Sequence, residues 1–239
     1  MALLAGGAGL PVLPGPVLPG LGGHDPRARQ DPTAWPWRAV ARLQIPGAAR
    51  CTAFLVAPRV VLTAAHCLYV RRTGHFAPAE SVHVLTGYSA GRFARHAVAT
   101  GYRLAPGYDP RDVPPDFGAD VAVVTLDRAM AAPGEVLGLA DSDAPSAAML
   151  GGYNQDRAEV IEADPGCAVL GGAADAAGRP LLRHDCAATR GTSGAPLLVR
   201  APGGWMVAGL QVAAASGRAS GIAIPAATLR QVLAASPLE

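Results

Sequence analysis

Punctuation is the feature that most limits what this chain can fold into. Twenty-nine glycines and 22 prolines are dispersed through 239 residues, so apolar runs rarely reach helical length. What stands between the breaks is strand-sized: "RAVARLQI" (38–45), "RCTAFLVAP" (50–58), "RVVLTAA" (59–65), "SVHVLTGY" (81–88) and "DVAVVTL" (120–126). Each is short, rich in β-branched and aliphatic residues, and bounded by Gly or Pro. These suffice for a small barrel. "DRAMAAPGEVLGLADSDAPSAAML" then reads as a surface connector, and a second set follows: "AEVIEA", "CAVLGGA", "PLLRHDC", "APLLVR", "WMVAGLQVA" and "ASGIAIP". Only the end differs. "PAATLRQVLAAS" sets Leu229, Val232 and Leu233 at helical spacing after a proline suited to a helix start, which predicts one short C-terminal helix. The fold class expected is all-β, in a chain long enough for one large domain or two small ones packed together.

Charge narrows the function classes. The net charge is +2, and all 20 basic residues are arginine, scattered singly apart from Arg71 with Arg72. No basic stripe exists to track phosphates, so nucleic acid is not an expected partner. The first 23 residues are apolar and uncharged but broken by Pro and Gly, too interrupted for a membrane-spanning helix. Residues 1–30 read as a signal and leader segment, although no basic residue precedes the apolar part. No later segment is long and apolar enough for stable membrane insertion. The four cysteines, Cys51, Cys67, Cys167 and Cys186, fall as a pair in each half with no C-x-x-C spacing. Two local disulfides are the simplest account, and they point to a secreted or periplasmic protein.

Three motifs carry chemistry. "TAAHC" contains His66, "GADVAVVTL" contains Asp120 and "GTSGAP" contains Ser193. A serine hydroxyl is a weak nucleophile at neutral pH, so it needs a neighbouring base, and that base needs an acceptor to hold its tautomer. His66 and Asp120 suit those roles. Asp116 competes with Asp120, but Asp120 enters the apolar run directly, where a carboxylate needs a partner such as an imidazole. The glycines beside Ser193 permit a tight turn that aims backbone N–H groups, those of Gly191 and Ser193, at a developing oxyanion. Singly each motif is weak; His66 alone could be an ordinary histidine beside a disulfide. A zinc site would need three or four convergent ligands, and none is visible, so neither metal nor organic cofactor is expected.

With these residues in view, the chain resembles a chymotrypsin-fold (trypsin-like) serine protease over roughly residues 35–233. "LTAAHC" matches the segment around the family's histidine, "ADVAVVTL" stands where the family has Asp-Ile-Ala-Leu, and "GTSGAP" stands for Gly-Asp-Ser-Gly-Gly-Pro. "WPWRAVARL", "CTAFLVAPRVVLTAAHC" and "HDCAATRGTSGAPLL" resemble the bacterial glutamyl-endopeptidase-like branch. The resemblance implies two antiparallel β-barrels with the active site in the cleft between them, an N-terminal barrel over 31–130 and a C-terminal barrel with the helix over 131–239. It also implies a disulfide between Cys51 and Cys67 bracing the catalytic histidine, and Cys167 with Cys186 bracing the loop before Ser193. Closing a loop of about 15 residues stabilises by roughly 3 kcal/mol in the chain-entropy model.

Departures from the family bear on specificity and activation. The basic-specific members carry an aspartate six residues before the nucleophile, where this chain has Ala187. Glutamyl endopeptidases carry a histidine where this chain has Gln211. The substrate pocket expected from the alignment is Ala187, Ala188, Gln211, Ala213 and Ala214, uncharged and suited to a neutral or small polar side chain. Beside the nucleophile, Thr192 replaces the aspartate that pairs with a new N-terminal amine in the family's zymogens. Activation is therefore expected to need other contacts, with processing near "RARQD" (27–31), or none at all. His184 in "RHDC" is expected to make a structural hydrogen bond or to lie on an exposed face.

The expected activity is that of a secreted serine endopeptidase, a monomer whose partners are a polypeptide substrate and a proteinaceous inhibitor. Two other classes stay open. A non-catalytic protease-like binding module normally has a broken triad, and a serine esterase normally shows Gly-x-Ser-x-Gly with the order Ser, Asp, His.

Overall fold

The computed structural model describes residues 18–112, 116–142 and 144–236. Alternating apolar residues close two six-stranded antiparallel barrels. After β1 (Ala28–Arg29), the first barrel uses β2 (Val40–Ile45), β3 (Ala49–Ala57) and β4 (Val60–Thr63). A small hairpin of β5 (Tyr69–Val70) and β6 (His75–Phe76) interrupts it before β7 (His83–Thr86), β8 (Arg95–Leu104) and β9 (Ala122–Leu126) complete the closed order β2-β3-β4-β9-β8-β7. Leu43, Leu55, Val61, Val84 and Val124 share one face of its wall and Phe54 and Leu62 the other, all essentially inaccessible to water. Burying such side chains contributes about 1.5–3 kcal/mol each.

The second barrel comprises β11 (Ser146–Gly152), β12 (Glu162–Ala174), β13 (Pro180–His184), β14 (Pro196–Ala201), β15 (Gly204–Ala214) and β16 (Gly221–Pro225). Their order is β12-β11-β14-β15-β16-β13, closed by β12 on β13. The short β10 (Gly138–Leu139) adds in parallel to β15, and β1 pairs with β12 through Ala28 and Ala163. The helix α1 (Ala226–Ala234) follows Pro225 and packs by Leu229 and Val232.

The structure refines the strand reading in three places. "SAAML", placed in a surface connector by its alanines and the preceding prolines, belongs to β11, because β12 and β14 pair with that strand along both edges. Strand β8 was not singled out; Gly101 lies at a register shift between Ala99 and Gly101, and its arginines and half-exposed positions break the apolar alternation. "AEVIEA" begins as a turn and becomes strand only at Glu162.

The N-terminal segment is part of the body from residue 18 on. The expected leader's first 17 residues lie outside the described residues, but Arg27 is buried at 7% exposure, its guanidinium held by Asp25 and Asp156. The "RARQD" stretch is therefore tied down by an ion-paired arginine and by β1. Both disulfides form as the resemblance implied, Cys51 with Cys67 and Cys167 with Cys186. Among the described residues no helix is long and apolar enough to cross a membrane.

Candidate active site

Short structural ties bring His66, Asp120 and Ser193 to one cleft of about 950 Å³. Strand β4 ends at Thr63, and the chain tightens into a single 3-10 turn, Ala65–Leu68, that carries His66 into the cleft. Cys67, bonded to Cys51 on β3, fixes the base of that turn. A second 3-10 turn, Phe117–Ala119, delivers Asp120 just before β9. The Asp120 carboxylate accepts twice from His66: from the backbone N–H at 2.8 Å and from Nδ1 at 2.6 Å. This fixes both ring orientation and tautomer, leaving Nε2 to face the cleft as an acceptor. Asp116 is engaged elsewhere, with Arg179, and Asp120 is the carboxylate that meets His66.

Ser193 sits on a loop held to the first barrel. Its carbonyl accepts from Thr52 N–H at 2.9 Å, so the loop is stitched to β3. Gly194 follows with φ +82, and a Cβ there would lie 2.1 Å from Thr52 O and 2.4 Å from Thr63 Oγ1. Only glycine permits that approach. Among the described residues the Ser193 hydroxyl makes no hydrogen bond to His66, a contact that in such sites commonly tightens only when substrate is bound. The N–H groups of Gly191 and Ser193 likewise donate to no protein acceptor among the described residues, while the neighbouring Thr192 and Gly194 N–H groups are both used.

Two residues that sequence reasoning missed hold this loop. Thr52 Oγ1 accepts from Tyr153 N–H at 3.0 Å and donates to Gly191 O at 2.9 Å, joining β3 to both loops of the second barrel. Asn154, at 1% exposure, accepts through Oδ1 from Thr189 N–H at 3.0 Å and contacts the Thr192 hydroxyl at 2.8 Å. Where the zymogen pattern has a charged pair, this chain has a buried neutral network, consistent with the threonine at 192. Thr52 lies within a quoted strand segment and Asn154 in none, and the burial and long-range bonds that mark both leave no local signal in the sequence.

The pocket residues divide. Gln211, Ala213 and Ala214 line the cleft together with Thr189, Arg190, Val212 and Ser216. Ala187 and Ala188 are not in that lining; they are buried behind it, Ala187 N–H donating to Asp164 Oδ2 at 2.8 Å. Gln211 is held from both ends, accepting at Oε1 from His184 Nε2 (2.5 Å) and donating through Nε2 to Ala213 O (2.9 Å). His184 is fully buried, and its Nδ1 accepts from Cys186 N–H, so the proton resides on Nε2. Burial lowers its pKa below the ordinary value, outweighing the opposing pull of Gln211, Asp185 and Asp164, and keeps the imidazole neutral. Of the exposed alternatives, the structural hydrogen bond expected for His184 is the one present. Four arginines (50, 71, 72 and 190) and four aspartates (109, 112, 116 and 120) line the cleft, giving it no single sign of charge.

Comparison with known proteins agrees with this architecture. The family described as Trypsin matches residues 26–233, and the chain belongs to the trypsin family. Among solved structures it is similar to one titled "Structure of Glu endopeptidase in complex with MPD", at TM-score 0.70 and 19% identity, covering 90% of this chain and 98% of that one. At that identity the likeness speaks to the fold. No curated protein sequence matches.

Proposed function

We propose that this protein is a secreted serine endopeptidase. Ser193 Oγ attacks the scissile carbonyl, His66 Nε2 takes the hydroxyl proton and then gives it to the leaving amine, and Asp120 holds His66 and stabilises the imidazolium. The N–H groups of Gly191 and Ser193 receive the oxyanion of the tetrahedral intermediate. Water then attacks the acyl-enzyme, with His66 again the base. The observation that carries this reading is the His66–Asp120 pair, bonded at two points, in one cleft with Ser193, whose own N–H and that of Gly191 donate to no protein acceptor among the described residues.

For specificity, the uncharged lining of Gln211, Val212, Ala213 and Ala214 supports a neutral or small polar side chain on the acyl side of the cleaved bond. Gln211 spends one Nε2 hydrogen on Ala213, and the other supports a hydrogen-bonding substrate group. Secretion is supported by two disulfides and by a family whose fold is typical of extracellular proteins. The test is digestion of a peptide library with mass-spectrometric mapping of every cut. The expected result is cleavage after small or uncharged polar residues, abolished by Ser193→Ala. Dominant cleavage after Arg or Lys would contradict the pocket assignment, and intact peptides would contradict the peptidase reading.

A further inference from the structure

A turn near the N-terminal end bears directly on the cleft. Leu18–Leu21 closes with Leu21 N–H donating to Leu18 O at 3.1 Å. Pro19 in the second position and Gly20 at φ +82 in the third have the chemistry of a type II turn. The Gly20 peptide then bridges two segments of the second barrel: its N–H donates to Ala215 O at 2.7 Å, and its carbonyl accepts from Ala188 N–H at 3.1 Å. Ala188 precedes Thr189, and Ala215 lies between Ala214 and Ser216. Thr189, Ala214 and Ser216 all line the cleft, and so does Pro19.

Among the described residues no other hydrogen bond joins 187–190 to 213–216. Methyl side chains at Ala187, Ala188, Ala213 and Ala214 cannot bridge the gap themselves, and neither disulfide crosses it. The fit at the bridge admits glycine alone: a Cβ on Gly20 would lie 1.7 Å from Ala188 O and 2.9 Å from Ala214 Cβ. Downstream, buried Leu21, the Arg27 ion pairs and β1 hold the turn in place.

We propose that Pro19 and Gly20 are positioning and specificity-determining residues, forming a third wall of the primary substrate pocket. Gly20 sets the spacing of the two walls that carry Thr189 and Ala214, and Pro19 contributes the edge that limits side-chain size. With the turn docked along its edge, the cleft as a whole keeps about 950 Å³. The inference rests on the peptidase reading of this cleft.

The test compares three full-chain variants with the wild type: Gly20→Val, Pro19→Ala and Gly23→Ala. Gly23 is the control, because a Cβ there meets nothing within 4 Å. A small fluorophosphonate, which does not use the pocket, reports on Ser193; steady-state kinetics on a cleaved peptide report on the pocket. For Gly20→Val, KM should rise roughly tenfold, as expected for two lost backbone bonds, with kcat and labelling nearly unchanged. Pro19→Ala retains the turn, and its relative kcat/KM for a bulkier side chain should rise at least about threefold. Gly23→Ala should match the wild type. An unchanged KM in Gly20→Val, or an unchanged size preference in Pro19→Ala, overturns the inference. So does a rise in kcat/KM for Gly20→Val, which would make the turn an obstruction. Should Gly20→Val fail to fold, Pro19→Ala decides alone. Wild-type protein that does not label overturns the peptidase reading and this inference with it.

Discussion

His66 takes its tautomer from a carboxylate 54 residues away in sequence, so the chemistry at this centre depends on side chains whose partners are set by the fold. Replacing Asp120 by Asn would present an amide to Nδ1 and favour the wrong tautomer. We expect kcat to fall about 10⁴-fold with little change in KM, measured by steady-state peptide hydrolysis. His66, Asp120 and Ser193 were legible because reactive side chains stand in short motifs whose glycines and apolar neighbours declare their setting. Asn154 was not legible, since its importance lies in accepting from Thr189 and contacting Thr192 across 35 and 38 residues. Asn154→Ala leaves the Thr189 N–H buried without its acceptor and loosens the loop that aims the Gly191 and Ser193 donors. A fall in kcat of about ten- to a hundredfold is expected, read together with a slower rate of fluorophosphonate labelling.

Strands β2, β3, β4, β9, β14, β15 and β16 coincide with apolar runs visible in the sequence, because strands buried on both faces read as near-continuous apolar segments between Gly and Pro breaks. Strand β11 left a poorer record: its alanines and glycines are small enough to serve in turns, and only the flanking strands make them a core element. Thr52 on β3 shows how elements of opposite barrels are joined. Its hydroxyl satisfies Tyr153 N–H and Gly191 O together, and Gly152 is glycine because a Cβ would come within 2.5 Å of that hydroxyl. Thr52→Val preserves shape but strands both backbone groups. A loss of about 1–3 kcal/mol in unfolding free energy is expected from urea titration, together with weaker oxyanion stabilisation in kcat.

At the scale of the whole molecule, the two barrels share one apolar cluster and are stitched across it by backbone groups and a few buried polar residues, an arrangement that composition cannot specify. The barrels themselves were legible from strand count and the order of the motifs; the bridging Gly20 and the Gln211–His184 pair were not, because nothing local distinguishes them from ordinary turn and strand residues. His184 also links stability to pH. Burial lowers its folded pKa below the unfolded value of about 6.5, so between the two values the unfolded chain binds a proton that the folded chain refuses. His96 shifts in the same direction, by burial and then by the neighbouring His83. Their contribution is complete above about pH 6.5 and is lost as pH falls from there through the folded values. Urea midpoints should therefore drop between about pH 7.5 and about pH 5, and His184→Gln, which does not titrate, should flatten the drop. The central claim is that the two barrels assemble a working nucleophile at Ser193. Intact mass of the full chain before and after exposure to a fluorophosphonate tests it most directly, with Ser193→Ala alongside. The account predicts one added phosphonyl group per wild-type molecule and none on Ser193→Ala; an unmodified wild-type mass in folded protein, or equal modification of both, would contradict it.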